Sequence, residues 1–542
     1  MSQEVHYLKI TRPTPEWYDA KRAYEVIDAY NTGAGSSQRA DEFVANSVVP
    51  AATGSLRDFS YIAPDLPELM AENCVGCMDC VQNCPDTAIF GKVATRGELD
   101  STLAQFPDGQ RGLLGSQFVE TAKYFKAFEK RREKDGCGPE GAMFGIFIDP
   151  TKCKGCGECV EVCGDRQALK MIKKTPDNLP DYFAMWQLHN RLPSSPTDYI
   201  NPKVAVDNML LPMANQQYVG GAGSCMGCGE ASVIRQALAA TFERVGENYG
   251  IVAATGCQTV YGSTYPFNPF SVPWTNSLFE NAPTDAMGIR AFWDETGHGD
   301  RVLWVFGGDG AMNDIGFQAL SRMLASGMNI KVLVLDTQVY SNTGGQTSTA
   351  SFIGQEAKMS IHGKKDQGKL ERRKELGQIC MMHPNTFVAQ TVGPMTGHFY
   401  KAVNMALDHN GPAVINVFTT CQPEHGVADD MAAAQAKLAM ESRAFPIFIY
   451  NPDGGRTMRE KLSLMGNPSV DRDWAVKKRK DGSTETVSFL DWCRTEGRFK
   501  KHFGKNGEPT KLLVQSQQER LENWWQLQDL AGILNKDHDN KA

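Results

Sequence analysis

Twelve of the fifteen cysteines in this chain fall into sets of the kind that ligate iron–sulfur clusters. Cys74, Cys77, Cys80 and Cys84 are separated by two, two and three residues, with Pro85 behind them. Cys153, Cys156, Cys159 and Cys163 repeat the spacing. Gaps of two residues let three thiolates wrap one cube of iron and sulfide, while the fourth cysteine crosses to the other cube. The spacing therefore predicts one set of Cys74, Cys77, Cys80 and Cys163, and a second of Cys153, Cys156, Cys159 and Cys84. Zinc ribbons, the competing explanation, use separated pairs rather than two quartets. Gly164 stands where a proline usually follows the second quartet. Glycine still permits the turn, so a shifted potential is expected rather than a lost cluster.

A second chemistry is written in Gly307-Gly308-Asp309-Gly310, which follows a strand-like run at 302–306. A strand passing through glycines into a helix sets backbone N–H groups beside a diphosphate. Asp309 offers Mg²⁺ a hard carboxylate oxygen. One strand–helix unit later comes Asp336-Thr337-Gln338-Val339-Tyr340-Ser341-Asn342. It lies at a strand's carboxyl end, where open α/β sheets bind ligands. Thr337 sits where thiamine enzymes place a second metal ligand, and the Val339 carbonyl is suited to the third. Gly-Asp-Gly alone is also a common structural turn; the second motif makes a thiamine diphosphate site the expectation.

Cys225, Cys228, Cys257 and Cys421 remain. Cys257 and Cys421 each follow a predicted strand, on the edge that carries Asp309. A third cube beside the thiamine diphosphate is expected, with a structural zinc or unliganded thiols as the alternatives. Cys137, Cys380 and Cys493 fit no set and read as packing thiols. The basic run Lys364, Lys365, Lys369, Arg372, Arg373 and Lys374 offers charge to coenzyme A phosphates or an acidic ferredoxin, but a solvated helix is the expectation. His362 and His425 read as surface histidines.

The elements that must position these groups have an α/β texture. Apolar runs at 251–254, 302–306, 332–335, 387–392 and 414–418 read as strands, and 231–245, 315–325 and 397–408 as helices between them. Apolar strands alternating with helices imply a parallel sheet covered on both faces. Four segments are expected. These are an arm or linker at 1–60, an α+β segment with two [4Fe-4S] clusters and an insertion at 61–200, a thiamine-diphosphate domain at 201–430, and a C-terminal extension at 431–542. The charged stretch 126–134 in the insertion reads as a solvated helix face.

The bulk numbers, 542 residues with 41% hydrophobic and 22% charged, fit an ordinary soluble globular protein of two or more domains. A net charge of −7 argues against nucleic-acid or membrane partners. No apolar run approaches a spanning helix. The first residues lack the apolar core of a secretory signal, so a reducing cytoplasm is expected.

In order, Cys225-Met-Gly-Cys-Gly-Glu230, Ala254-Thr-Gly-Cys257, Asn276-Ser-Leu-Phe-Glu280, Gly308-Asp-Gly310, Asp336-Thr-Gln-Val-Tyr-Ser-Asn-Thr-Gly-Gly-Gln346 and Gly363-Lys-Lys-Asp366 follow the two quartets. With them the chain resembles the 2-oxoacid:ferredoxin oxidoreductase family, of the pyruvate:ferredoxin (flavodoxin) type. The likeness covers about 61–430 and matches the C-terminal half of the long single-chain members. It implies a bacterial 2[4Fe-4S] ferredoxin-like domain before the thiamine-binding sheet. It implies that Glu230, Cys257, Gly308, Asp309, Gly310, Ala311, Thr337, Gln338, Val339, Tyr340, Ser341 and Asn342 meet the cofactor. Asn342 would lie near the reacting centre, and with Glu230 would take a catalytic part. Cys225, Cys228, Cys257 and Cys421 would hold a proximal [4Fe-4S] cluster. One departure is Ala311-Met312-Asn313, where the family often has aromatic residues.

The family's N-terminal region, with its activating glutamate and 2-oxoacid grip, has no counterpart here. The resemblance thus implies one subunit of a split enzyme. A second subunit would carry the pyrimidine-binding and 2-oxoacid-binding domains, two copies of each would assemble, and the site would be completed at their interface. The implied reaction is oxidative decarboxylation of pyruvate with coenzyme A to acetyl-CoA and CO₂, or its reverse. Electrons would pass over three [4Fe-4S] clusters to ferredoxin or flavodoxin. The alternatives are 2-oxoglutarate, oxalate or an aryl pyruvate as substrate, a non-redox thiamine decarboxylase or synthase, or an electron-transfer subunit with a vestigial thiamine site.

Overall fold

A computed structural model describes residues 20–39, 45, 48–121, 142–196, 210–363, 367–479 and 481–534. The stretch 126–134, Cys137, Lys364 and Lys365 lie outside the described residues.

An eight-stranded sheet organises the larger part. Its order is Leu462–Ser463, Phe448–Tyr450, Phe387–Val392, Ala413–Phe418, Lys331–Asp336, Val302–Gly308, Tyr249–Ala254, Trp274–Ser277. Six neighbouring strands run parallel, with registers such as Phe418 opposite Asp336 and Ala253 opposite Phe306. The five expected strands are present, each within two residues of its expected ends. Their side chains are buried on both faces, which is why they read as unbroken apolar runs.

Alternate residues feed two cores. Ile251, Phe306, Leu333 and Ile415 pack with helices Gly229–Val245 and Thr396–Asp408. Val252, Val305, Val332 and Val414 pack with helices Ala282–Glu295 and Phe317–Ser326 on the other face. The helix expected at 315–325 begins at Phe317 and is preceded by one π-helical turn, Gly310–Ile315.

The sheet does not stop at 430. Strands Phe448–Tyr450 and Leu462–Ser463 add antiparallel to its edge, and Trp524 and Leu527 of helix Lys511–Ala531 enter the second core. Residues 431–534 are therefore built into the thiamine-type domain rather than appended to it. This was hidden because that helix also buries Ser516, Glu519, Arg520, Asn523 and Gln528. Half-polar burial erases the hydropathy period that marks a core helix. Nor is 48–60 a free linker: the Thr53 hydroxyl donates to Pro266 O at 2.9 Å, and Gly54 N to Asn268 O at 3.0 Å.

The cysteine-rich part pairs Asp65–Leu69 antiparallel with Leu169–Lys173 and carries a three-stranded antiparallel sheet of Ile89–Thr95, Ala142–Ile148 and Phe118–Val119. Short helices Asp79–Gln82 and Glu158–Cys163 lie across it. Val81 and Ile89 share the first core with helix Gly229–Val245, so the two parts meet in one apolar contact.

Candidate active site

The two cysteine quartets enclose two separate cavities. Cys74, Cys77, Cys80 and Cys163 line one, and Cys84, Cys153, Cys156 and Cys159 line the other. Each fourth cysteine thus crosses over, as the spacing requires. Round one zinc ion, at a Zn–S distance of about 2.3 Å, four sulfurs close on a point. Among the described residues no group of three or more such ligands does so. A cube of iron and sulfide fits four thiols spread round a cavity.

The thiols feel one another. Burial pushes Cys80 well up, followed by Cys77, Cys74 and Cys163. Backbone N–H groups aim at the sulfurs, as at Ala88 to Cys84 (3.4 Å) and Ala168 to Cys163 (3.3 Å). Such bonds favour thiolate and tune a bound cluster. Gly164, directly after Cys163, adopts φ +54, and a β-carbon added there would meet nothing within 4 Å.

The thiamine-type site stands on four adjacent parallel strands. Their carboxyl ends deliver, in order across the sheet, Cys421, Thr337, Asp309 and Cys257. Asp309 is fully buried. Its oxygens accept from Thr337 N and Oγ1 (3.1 Å each) and from Ser348 Oγ (2.5 Å), all neutral donors. The Thr337 hydroxyl also lies 3.1 Å from Val339 O and 2.5 Å from Ser341 Oγ. Burial, then the neighbouring Asp336, holds the Asp309 carboxyl above its usual range. That is the situation a divalent cation relieves. Carboxylate, hydroxyl and carbonyl oxygens in one cluster fit a hard cation such as Mg²⁺.

Beside this cluster is an open cleft lined by Glu230, Cys257, Gly308, Gly310, Ala311 and the stretch Val339–Thr343, among others. A β-carbon at Gly310 would sit 2.4 Å from the Tyr340 ring, so glycine keeps the turn open there. Glu230 is buried, and burial pushes its carboxyl up to about 7, opposed by a 3.4 Å bond from the Tyr261 hydroxyl.

The third cysteine set is folded onto the same edge. Gly227, at φ +69, approaches Asp429 so closely that a β-carbon would lie 1.8 Å from its carbonyl oxygen. Gly229 N donates to Thr420 O at 3.2 Å. These contacts bring the Cys225–Cys228 turn beside Cys421. Burial and then Glu230, Cys228, Cys421 and Cys225 all raise Cys257, so the four thiols are neighbours. Cys257 also lines that cleft, and the Ser341 hydroxyl bonds to the Cys421 thiol. Cys225 is exposed.

Two expectations are corrected. His425 is fully buried, not on the surface, and its Nε2 lies 2.8 Å from Thr337 O. The described part of the basic run is no solvated helix: Lys369 donates to Thr349 O and Ser351 O, and Arg373 pairs with Asp336 in the core. Arg372 alone of that part is exposed, paired with Glu522. His362 is exposed, and Cys380 and Cys493 are buried as core thiols. Sequence reading missed Arg498, whose side chain reaches the 336–342 loop from 160 residues away.

Residues 254–417 match the family of thiamine pyrophosphate enzymes, C-terminal TPP binding domain. Residues 146–165 match the 4Fe-4S binding domain family. The chain is 30% identical to the pyruvate synthase subunit PorB of Pyrococcus horikoshii, over 60% of its own length and 97% of that subunit's. It is 26% identical to the pyruvate:ferredoxin oxidoreductase of Moorella thermoacetica, over 89% of this chain and 44% of that one. The pyruvate-flavodoxin oxidoreductase of Rhodospirillum rubrum is 25% identical, over 87% and 42% respectively. The chain therefore spans less than half the length of these long relatives and nearly all of the short one.

Proposed function

The chain belongs to the pyruvate:ferredoxin (flavodoxin) oxidoreductase family, and from that premise we propose that it is the thiamine- and cluster-bearing subunit of a split 2-oxoacid:ferredoxin oxidoreductase. Its substrates are pyruvate and coenzyme A, and its electron acceptor is ferredoxin or flavodoxin. The observation that carries this is the double placement of Cys257, which lines the thiamine-type cavity and neighbours Cys225, Cys228 and Cys421.

Bound thiamine diphosphate supplies an electron sink for decarboxylation, and three [4Fe-4S] clusters supply one-electron acceptors. The chain's own residues do the rest. Asp309, the Thr337 hydroxyl and the Val339 carbonyl would hold Mg²⁺, and the turn opening at Gly310 would supply N–H donors to a diphosphate. Glu230 keeps a proton at the cavity wall. Asn342, on the same lining, is the amide offered to the 2-oxoacid.

Contacts support an electron route from the third set to the Cys84 set and then to the Cys74 set. Ser232, one turn after Cys228, donates to Asn83 O at 3.0 Å. Glu158, between Cys156 and Cys159, accepts from Ala432 N and Ala433 N at 2.9 Å each. The Cys74 set opens toward the surface at half-exposed Val75, the side on which an acceptor protein docks. At the cavity end, exposed Val260, Leu278 and Ile315 belong to the segments that carry Cys257, Phe279 and Gly310. An apolar rim of this kind supports a second subunit covering the mouth.

The test is copurification from native cells followed by a 2-oxoacid screen with ferredoxin or a viologen dye. Coenzyme A-dependent dye reduction with pyruvate is expected. Reduction with another 2-oxoacid alone would move the substrate, and none with any would refute the proposal.

A further inference from the structure

Under the 336–342 loop lies a buried polar network supplied partly by residues beyond the 254–417 match. Gln338 is fully buried and adopts φ +59, a left-handed conformation unusual for a residue with a β-carbon. Such a conformation persists where surrounding contacts over-determine it. Here they do. The Gln338 carbonyl accepts from Ser351 Oγ at 2.5 Å and Gln355 Nε2 at 2.9 Å. Its side-chain Oε1 accepts two bonds from the Arg498 guanidinium, both 3.1 Å. The carbonyl before it, on Thr337, faces His425 Nε2 at 2.8 Å; a carbonyl can only accept, so Nε2 carries the proton.

With the Thr337 and Gln338 carbonyls turned inward and satisfied, the chain reverses at Gln338. The Val339 carbonyl and Thr337 hydroxyl, 3.1 Å apart, are left on the Asp309 side. Arg498 is itself fixed by Glu496 at 2.5 Å, both side chains having no exposed surface. Its two N–H groups converge on the one Oε1 and fix that oxygen in the guanidinium plane, which a lysine point charge cannot do.

We propose that Arg498 is a positioning residue for the metal-binding loop: its forked grip on Gln338 holds the left-handed reversal that aims the Thr337 hydroxyl and the Val339 carbonyl at the cation on Asp309. This rests on reading 336–342 as a magnesium–diphosphate loop. Outer-shell groups of this kind are worth about 10- to 100-fold in metal affinity.

Two variants of the full-length protein, purified as it assembles in its native cells, test it. Arg498→Lys keeps the charge opposite Glu496 but loses the fork. The double variant Glu496→Gln/Arg498→Met removes the buried pair together, so no lone charge is stranded in the core. Magnesium affinity at saturating thiamine diphosphate is measured by calorimetry, alongside iron content and melting temperature. The expected result is magnesium binding weakened about 10- to 100-fold in both variants, with iron and melting temperature near wild type. Wild-type magnesium affinity in either variant overturns the proposal. So does a loss of magnesium matched by losses of iron and thermal stability, which marks a general structural role. A wild type that takes up neither thiamine diphosphate nor magnesium sinks the underlying reading as well.

Discussion

At the scale of single residues, Asp309 and Cys80 have separable jobs in the proposed reaction. Asp309→Ala removes the only carboxylate in the oxygen cluster formed with Thr337 and Val339. Thiamine diphosphate should be lost on gel filtration and turnover abolished, while the ferredoxin-type clusters stay visible by EPR. Cys80→Ala strikes the set that stands last on the proposed electron route. It should leave CO₂ release intact and slow electron delivery to ferredoxin; equal ferredoxin reduction by variant and wild type would count against the proposed wiring. The residues behind both predictions were legible in the sequence because ligand chemistry constrains local spacing: three thiols of one cube must lie on one short turn, and Asp309 must follow its strand. His425 and Arg498 carry no such constraint. Each acts alone, through a partner 88 and 160 residues distant, and no local pattern announces that.

At the scale of elements, the decisive features are turns that bring backbones into contact. A left-handed conformation alone costs a residue with a β-carbon about 1–2 kcal/mol, and at Gly227 the Asp429 carbonyl leaves no room besides. Gly227→Ala should displace the Cys225–Cys228 turn, so that iron content falls by one cube while both ferredoxin-type clusters remain; full iron content would refute the assignment of that turn. The central strands were readable from their apolar runs. Trp274–Ser277 was not, because an edge strand with two exposed residues presents no such run. The docking of the C-terminal helix escaped for a different reason: its buried positions include Glu519 and Arg520, which pair with each other, and Arg520 with Glu375, rather than with apolar neighbours.

At the scale of the whole molecule, the proposed electron route requires the cysteine-rich part to stay docked to the sheet. Within it His189 is buried against Trp186, their rings stacked 4.7 Å apart, and burial followed by nearby Lys92 pushes its pKa down to about 3. Between its unfolded value of 6.5 and that point, the unfolded chain binds a proton that the folded chain refuses. Stability is therefore lost as pH falls through that window, by roughly 2 kcal/mol at pH 5. His189→Phe should lower the melting temperature less than wild type between pH 7 and pH 5; identical slopes would show that the histidine charges freely in the fold. The most direct test of the whole is freeze-quench EPR on the native assembly given carboxyl-labelled pyruvate and coenzyme A without ferredoxin. The account predicts that reduced [4Fe-4S] signals grow in step with labelled CO₂ release. Release of CO₂ while every cluster stays oxidised would contradict it.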